Sequence, residues 1–300
     1  MVEPKSLNSS VLDFGPKHQE RGIGNYQILN QIGKGAFGIV YKGRHRATKM
    51  PVAIKELPRQ QKKNSLESIR KEVRLLLKLH HPNIVNLLAF YNDDSNCYLI
   101  LEYCPNGDLK KFVAKYFPNK QIPEPQARKL FQQIFSGIKA MHASNIVHRD
   151  LKLDNILLGE NFVPKIADFG LGRTIEGSDI FTTYCGTPVM MAPEVVGRVY
   201  DAKCDIWSLG MMLYEILYGK LPFKQPLKTR GDIMKALSQP DWLEFPNTIS
   251  LSEAAKDLIS SMLSVDPNSR INYEDLFNHP WVTGNVAIPS LMDFQKEGNI

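Results

Sequence analysis

The sequence predicts an α+β protein of two lobes, a small antiparallel sheet with one main helix followed by a larger helical lobe. Three observations point there. Residues 26–57 hold short β-type apolar runs broken by Gly and charged turns. Apolar spacing turns helical between Leu66 and Leu79, and helix dominates from Asp108 onward. Residues 205–217 are apolar on every side, as in a helix buried at the centre of a lobe.

The elements follow in order. Residues 1–23 mix Pro, Ser, Asn, Lys and Gly without apolar periodicity and read as a flexible leader. Residues 26–29, 39–41 and 52–54 are strands. Leu66, Ile69, Val73, Leu76 and Leu77 are expected on one face of the first helix. Strand character returns at residues 83–88 and 97–101, closing a first lobe of about residues 24–103. Residues 102–107 connect it to a second lobe of about 108–282. There a long amphipathic helix runs over residues 125–142, with Pro125 in a first turn where its missing N–H costs nothing. Further helices are expected at 205–217, 232–237, 252–263 and 273–277. No internal repeat is visible, and residues 283–300 form a tail without clear pattern.

Composition narrows the class. With 300 residues, 43% hydrophobic and 23% charged, the chain can bury a sizeable core as a soluble protein. Net charge is +6, but Lys and Arg are dispersed and no basic stripe carries interleaved aromatics, so no nucleic-acid partner is expected. The four cysteines, Cys97, Cys104, Cys185 and Cys204, lack metal-ligand spacing and read as free thiols of a reducing compartment. The start has no signal-peptide pattern, and no run approaches the roughly 18 apolar residues of a membrane span. Cytoplasmic residence is expected, with the nucleus as the alternative.

The chemistry is concentrated in two motifs. Residues 147–155 read Val-His-Arg-Asp-Leu-Lys-Leu-Asp-Asn, and Asp168-Phe169-Gly170 begins thirteen residues after Asn155. Phosphoryl transfer to a hydroxyl needs a carboxylate to take the proton and hard oxygen ligands for magnesium. Asp150 suits the first need, Asn155 and Asp168 the second. Upstream stand Gly33-Lys34-Gly35-Ala36-Phe37-Gly38 and Val52-Ala53-Ile54-Lys55; downstream stands Ala192-Pro193-Glu194. The glycines lie between two strands, which argues against a dinucleotide-binding fingerprint, where a helix must follow.

In this order and spacing, over roughly residues 26–281, the motifs resemble the eukaryotic protein kinase family, serine/threonine type. The resemblance implies a protein-kinase-like fold and transfer of the ATP γ-phosphate to Ser or Thr hydroxyls of protein substrates. It makes Gly33, Gly35 and Gly38 a cover for the phosphates. Lys55, paired with Glu72, would hold the α- and β-phosphates. Adenine would lie between Ile32, Val40, Ala53 and Leu157, with Leu101 at its back, the backbone of Glu102 and Cys104 at its edge and Asp108 at the ribose. Asp150 would accept the proton, Lys152 would offset charge on the moving phosphoryl, and Asn155 and Asp168 would hold Mg2+, for which Mn2+ could substitute. His148, Phe169, Leu76 and Leu87 match an internal stack between the lobes. Glu194 and Arg270 match a buried ion pair, and Asp205 a brace of the catalytic loop.

The same resemblance places an activating phosphate on Thr183, with Thr182 the neighbouring candidate, facing Arg149 and Arg173. The phosphate would come from an upstream kinase or from autophosphorylation. Tyr184, Thr187, Pro188 and Met191 would form the pocket for the substrate residue after the acceptor, with Thr187 also meeting the catalytic machinery. Asp108, Asp154 and Glu215 match acidic positions of basic-directed relatives, so arginine is expected two or three residues before the acceptor. Leu171 resembles relatives that prefer serine as acceptor. The chain departs from the family pattern at Met190, Gly172 and Ser68, none of them catalytic. Residues 32–42 and the surroundings of Thr183 look most like autophagy-initiating kinases, then calmodulin-dependent-type kinases. A fold kept without turnover would lack Lys55, Asp150 or Asp168, and all three are present.

Overall fold

The computed structural model describes residues 21–35, 38–59, 66–174, 186–197, 200–224, 227 and 229–284. Its first lobe comprises β1 (Gly22–Ile23), β2 (Tyr26–Lys34), β3 (Ile39–His45), β4 (Pro51–Pro58), α1 (Leu66–Lys78), β5 (Leu87–Asn92) and β6 (Asn96–Glu102). The strands form one antiparallel sheet in the order β1-β2-β3-β4-β6-β5. Alternation along β4 sets the function of each face. Val52 and Ile54, both 0% exposed, pack on one side with Tyr26, Ile28, Tyr98 and Ile100. Ala53 and Lys55 take the other side, opposite Leu101 and Val40 respectively, and line an open cleft. A one-residue slip would bury Lys55 in the apolar layer.

Helix α1 buries Ile69, Glu72, Leu75 and Leu76. This stripe is rotated from the expected one. Leu77 is 58% exposed and Leu75 is buried in its stead. Each residue turns the helix by about 100°, so Leu77 has passed the edge of a face that ends at Leu76.

The second lobe contains α2 (Leu109–Tyr116), α3 (Glu124–Ala143), β7 (Ile146–Val147), β8 (Ile156–Leu158), β9 (Pro164–Ile166), β10 (Arg173–Thr174), α4 (Pro193–Gly197) and α5 (Cys204–Tyr218). It continues with α6 (Arg230–Leu237), α7 (Glu253–Met262), α8 (Tyr273–Asn278) and α9 (Pro280–Thr283). As predicted, α5 is buried at every position except Glu215, and α3 carries Pro125 in its first turn. Strand β8 pairs with β9 and β7 with β10, both antiparallel.

Residues 83–88 depart from the predicted strand, because β5 starts only at Leu87. Val85 N–H donates to Ile166 O at 2.9 Å, and Ile166 N–H donates to Asn83 O at 2.8 Å. The segment therefore spends its backbone hydrogen bonds on β9, stitching the first lobe to the second.

Candidate active site

Strand β4 and helix α1 bring Lys55 and Glu72 together from seventeen residues apart in sequence. The Lys55 ammonium lies 2.8 Å from Glu72 Oε1 and 2.8 Å from Asp168 Oδ1. Burial acts to lower the Lys55 pKa, but Glu72 and then Asp168 outweigh it, and the net shift is upward. Asp168 is pushed the other way, chiefly by the Lys55 charge, so it stays a carboxylate well into acid. Its side chain is 37% exposed, towards the cleft.

Asp150 sits in a hydrogen-bonded cradle. Lys152 Nζ donates to Asp150 Oδ2 at 2.8 Å, and Thr187 Oγ1 donates to Asp150 Oδ1 at 2.9 Å. Lys152 Nζ also reaches Thr187 Oγ1 at 2.8 Å, closing a triangle. Asn155 Nδ2 donates to the Asp150 carbonyl at 2.8 Å and to Oδ2 at 3.1 Å. With its nitrogen so engaged, Asn155 has its amide oxygen to offer a cation.

The loop's backbone is held against its own preference. Arg149 and Asp168 adopt φ of 69° and 64°, in the left-handed region where side chains are costly. Asp205, 1% exposed on α5, accepts from His148 N–H at 2.7 Å and Arg149 N–H at 2.8 Å, fixing the first of these. His148 is fully buried. Its Nδ1 accepts from Asp150 N–H at 3.3 Å, its Nε2 donates to Ala167 O at 2.9 Å, and its ring meets Phe169 edge-on at 5.0 Å. Both ring nitrogens are thus occupied by the scaffold, in keeping with a structural reading. Leu76 and Phe169 are buried and Leu87 is half-buried, each in the same apolar core.

These groups line a cleft of about 960 Å³ between the lobes. Val40, Ala53, Leu101 and Leu157 form its apolar wall, while Ile32 borders the adjoining outer pocket. Val85 and Ala167 also line the cleft and pack with Cys104, Leu101 and Leu157. The sequence reading missed both, since neither lies in a motif; only the three-dimensional join of residues 83–85 to β9 brings them in. Glu102 is tied by Lys165 Nζ at 2.8 Å, and burial lifts the Cys104 thiol to about 12, so it stays protonated at neutral pH. Asp108 caps α2, accepting from Lys111 N–H at 2.9 Å. Among the described residues no three His, Cys, Asp or Glu groups converge as a metal cage. Asp168 and Asn155 instead fit a cation held by one carboxylate, one amide oxygen and phosphate oxygens, the usual manner of magnesium.

The glycines of the β2–β3 turn differ in what requires them. A Cβ on Gly38 would lie 2.0 Å from Glu56 O, whereas one on Gly35 would meet nothing within 4 Å. Gly38→Ala is therefore expected to displace β4 and lower the melting temperature. Gly35→Ala should leave melting unchanged and raise the KM for ATP, because the added methyl occupies space open to phosphate. Thermal melts and ATP kinetics on both variants check this division.

Thr183 and Tyr184 lie outside the described residues. Of the remaining expected pocket, Pro188 is exposed, Met191 is 5% exposed and the Thr187 hydroxyl is turned onto Asp150. Arg149 donates from Nε to Leu171 O at 2.7 Å and from Nη1 to Tyr200 Oη at 3.3 Å. The expected acidic surface is largely consumed internally: Lys111 pairs with Asp108 at 2.9 Å and Lys110 with Asp154 at 3.2 Å.

Comparison with known proteins agrees with this geometry. The family described as Protein kinase domain matches residues 26–282. The Serine/threonine-protein kinase ATG1c of Arabidopsis thaliana is 35% identical over 269 residues, covering 88% of this chain and 36% of that protein. The Serine/threonine-protein kinase ULK3 of Homo sapiens is 36% identical over 273 residues, 89% of this chain and 57% of that one. Aurora kinase A-B of Xenopus laevis is 35% identical over 280 residues, 92% of this chain and 66% of that one. The chain thus spans between about a third and two thirds of these relatives. Such membership implies use of ATP and a divalent metal on protein substrates. Among the described residues no helix is long and apolar enough to cross a membrane. By the match over residues 26–282, the chain belongs to the protein kinase domain family.

Proposed function

We propose that this chain is an ATP-dependent serine/threonine protein kinase, with one catalytic unit over about residues 24–282. The observation that carries the reading is the joint geometry of Lys55, Glu72, Asp168 and Asp150 around one cleft. Asp150 orients the acceptor hydroxyl and takes its proton as the oxygen attacks the γ-phosphorus, a contribution of about 10²–10⁴-fold. The bond from that phosphorus to the bridging oxygen breaks, and ADP leaves. Lys152, already 2.8 Å from Asp150, offsets negative charge on the transferred group. Lys55 holds the non-transferred phosphates, and Glu72 keeps its ammonium in place. Mg2+, with Mn2+ as substitute, would be held by Asp168 and Asn155 and would neutralise charge on the phosphates. The lysine at position 152 favours serine/threonine acceptors, and the names of the relatives agree with that. Three buried free thiols, Cys97, Cys104 and Cys204, support cytoplasmic residence, with the nucleus as the alternative.

We further infer activation by phosphate on Thr183, supplied by an upstream kinase or by the chain itself. Arg149 stands at the catalytic loop with its guanidinium on Leu171 and Tyr200, where a phosphate could add to its contacts. One experiment tests both statements. Purified protein with ATP and Mg2+ should phosphorylate Ser and Thr on a peptide array, and mass spectrometry should find phosphate on Thr183 of the active fraction. Thr183→Ala should lower turnover several-fold. No transfer to any peptide would refute the enzyme, and full activity in the alanine variant would refute the switch.

A further inference from the structure

Three acids are expected to draw arginine to the peptide side of the cleft, and the structure pairs two of them with neighbouring lysines. Asp108 is 15% exposed at its side chain, with Oδ1 accepting from Lys111 N–H and Oδ2 paired to Lys111 Nζ at 2.9 Å. Asp154 Oδ2 is paired to Lys110 Nζ at 3.2 Å. Glu215 lies on buried α5 and lines neither the cleft nor its outer mouth; burial raises its carboxyl pKa, with Lys110 pulling the other way.

The cations beside these acids face outward. Side-chain exposure is 87% for Lys111 and 55% for Lys110. One turn along α2, Lys115 is exposed, lines the outer mouth of the cleft and rests over the Tyr116 ring at 4.7 Å. Lys34 is exposed on the opposite wall, at the end of β2. Two ion pairs carry no net charge, so the surplus at this mouth is the positive charge of Lys115 and Lys34. An arriving guanidinium would have to displace a lysine from its acid and would meet these ammoniums at close range. A carboxylate meets the Lys115 and Lys34 ammoniums, while the acids nearest to it, Asp108 and Asp154, are already paired with lysines. Discrimination by a repulsive element of this kind needs no tight contact to the preferred partner.

We propose that the α2 side of the cleft selects acceptor peptides bearing Asp or Glu two or three residues before the phosphorylated residue, and rejects arginine there. The proposal rests on the kinase reading above and names the substrate class for it. Three peptides differing only at those two positions, Asp-Asp, Ala-Ala and Arg-Arg, test it through kcat/KM. Wild-type protein should favour Asp-Asp over Ala-Ala by about threefold to tenfold, and Ala-Ala over Arg-Arg, as expected for part-exposed charge pairs. The gaps should narrow in high salt. Lys115→Glu alone should shrink the acidic preference, and Lys111→Glu with Lys115→Glu should invert the order. Position 111 is the third residue of α2, where a glutamate suits the helix N-terminus, so that variant should fold. Equal use of the three peptides, or preference for Arg-Arg in wild type, would overturn this proposal while leaving the kinase reading standing. Absence of transfer to all three would overturn both.

Discussion

Asp168→Asn should abolish phosphoryl transfer, by about 10³-fold or more, while the protein melts close to wild type. The magnitude is that attached to removing a group that stabilises transition-state charge. Asn suits the site for two structural reasons. Its amide oxygen can still accept from Lys55, 2.8 Å from the present Oδ1, and Asn tolerates the left-handed φ of 64° better than other residues. What it lacks is the negative charge that a divalent cation needs. Lys55→Met should also cripple transfer, but with a loss of stability, since Glu72 at 6% exposure would be left without its counterion. Acid melts distinguish the two further. The Asp168 pKa is lowered by Lys55, so its stabilisation is full above the ordinary carboxylate pKa and is lost as pH falls through the lowered one. Asp168→Asn has no such group and should lose less melting temperature between neutral pH and strong acid. Near-wild-type turnover in Asp168→Asn would remove the basis of the enzyme assignment.

Why the sequence brings the candidate catalytic residues into view, and hides other features of the cleft, follows from what encodes each. Asp150, Lys152, Asn155 and Asp168 sit within about twenty residues, so local spacing carries them. Lys55 and Glu72 needed only a strand followed by a helix with the right period. The face of α1 was harder: Leu75, Leu76 and Leu77 are all apolar, and only packing decides that Leu77 is the one left outside. Residues 83–85 look like a strand because Ile84 and Val85 are apolar and β-branched, yet their backbone pairs across the lobes with β9. For Asp108 and Asp154 the sequence shows the charges but not their lysine partners. Lys110 and Lys111 follow directly on Asp108 and Leu109, and their placement on the first turn of α2 decides the local field.

Removing either member of the Glu194–Arg270 pair should produce the largest stability loss of any surface-distant polar substitution in the second lobe. Arg270 is 2% exposed, with Nη1 2.5 Å from Glu194 Oε1 and Nη2 2.9 Å from Oε2. The same guanidinium donates from Nε to Ser264 O at 3.1 Å and from Nη1 to Lys203 O at 3.1 Å, and lies over the Trp207 ring at 5.2 Å. Glu194→Ala would leave that buried charge without its carboxylate, with two carbonyls and the Trp207 ring beside it, at a cost of about 3–5 kcal/mol. For a domain of this size the melting temperature should fall by on the order of 10 °C. Arg270→Lys should not rescue, because an ammonium cannot make the two-pronged bond and reach both carbonyls. Glu194→Leu combined with Arg270→Met should recover part of the loss, since no unpaired charge remains, but not all, because the Ser264 and Lys203 carbonyls lose their donor. The pair also fastens the start of α4, directly after Met190, Met191 and Thr187, to α5 and the segment before α8. Turnover of the double variant should therefore stay reduced even where stability returns, through looser placement of Thr187 against Asp150. A melting change in Glu194→Ala worth under about 1 kcal/mol, the level of an exposed pair, would show that the guanidinium is compensated without its carboxylate.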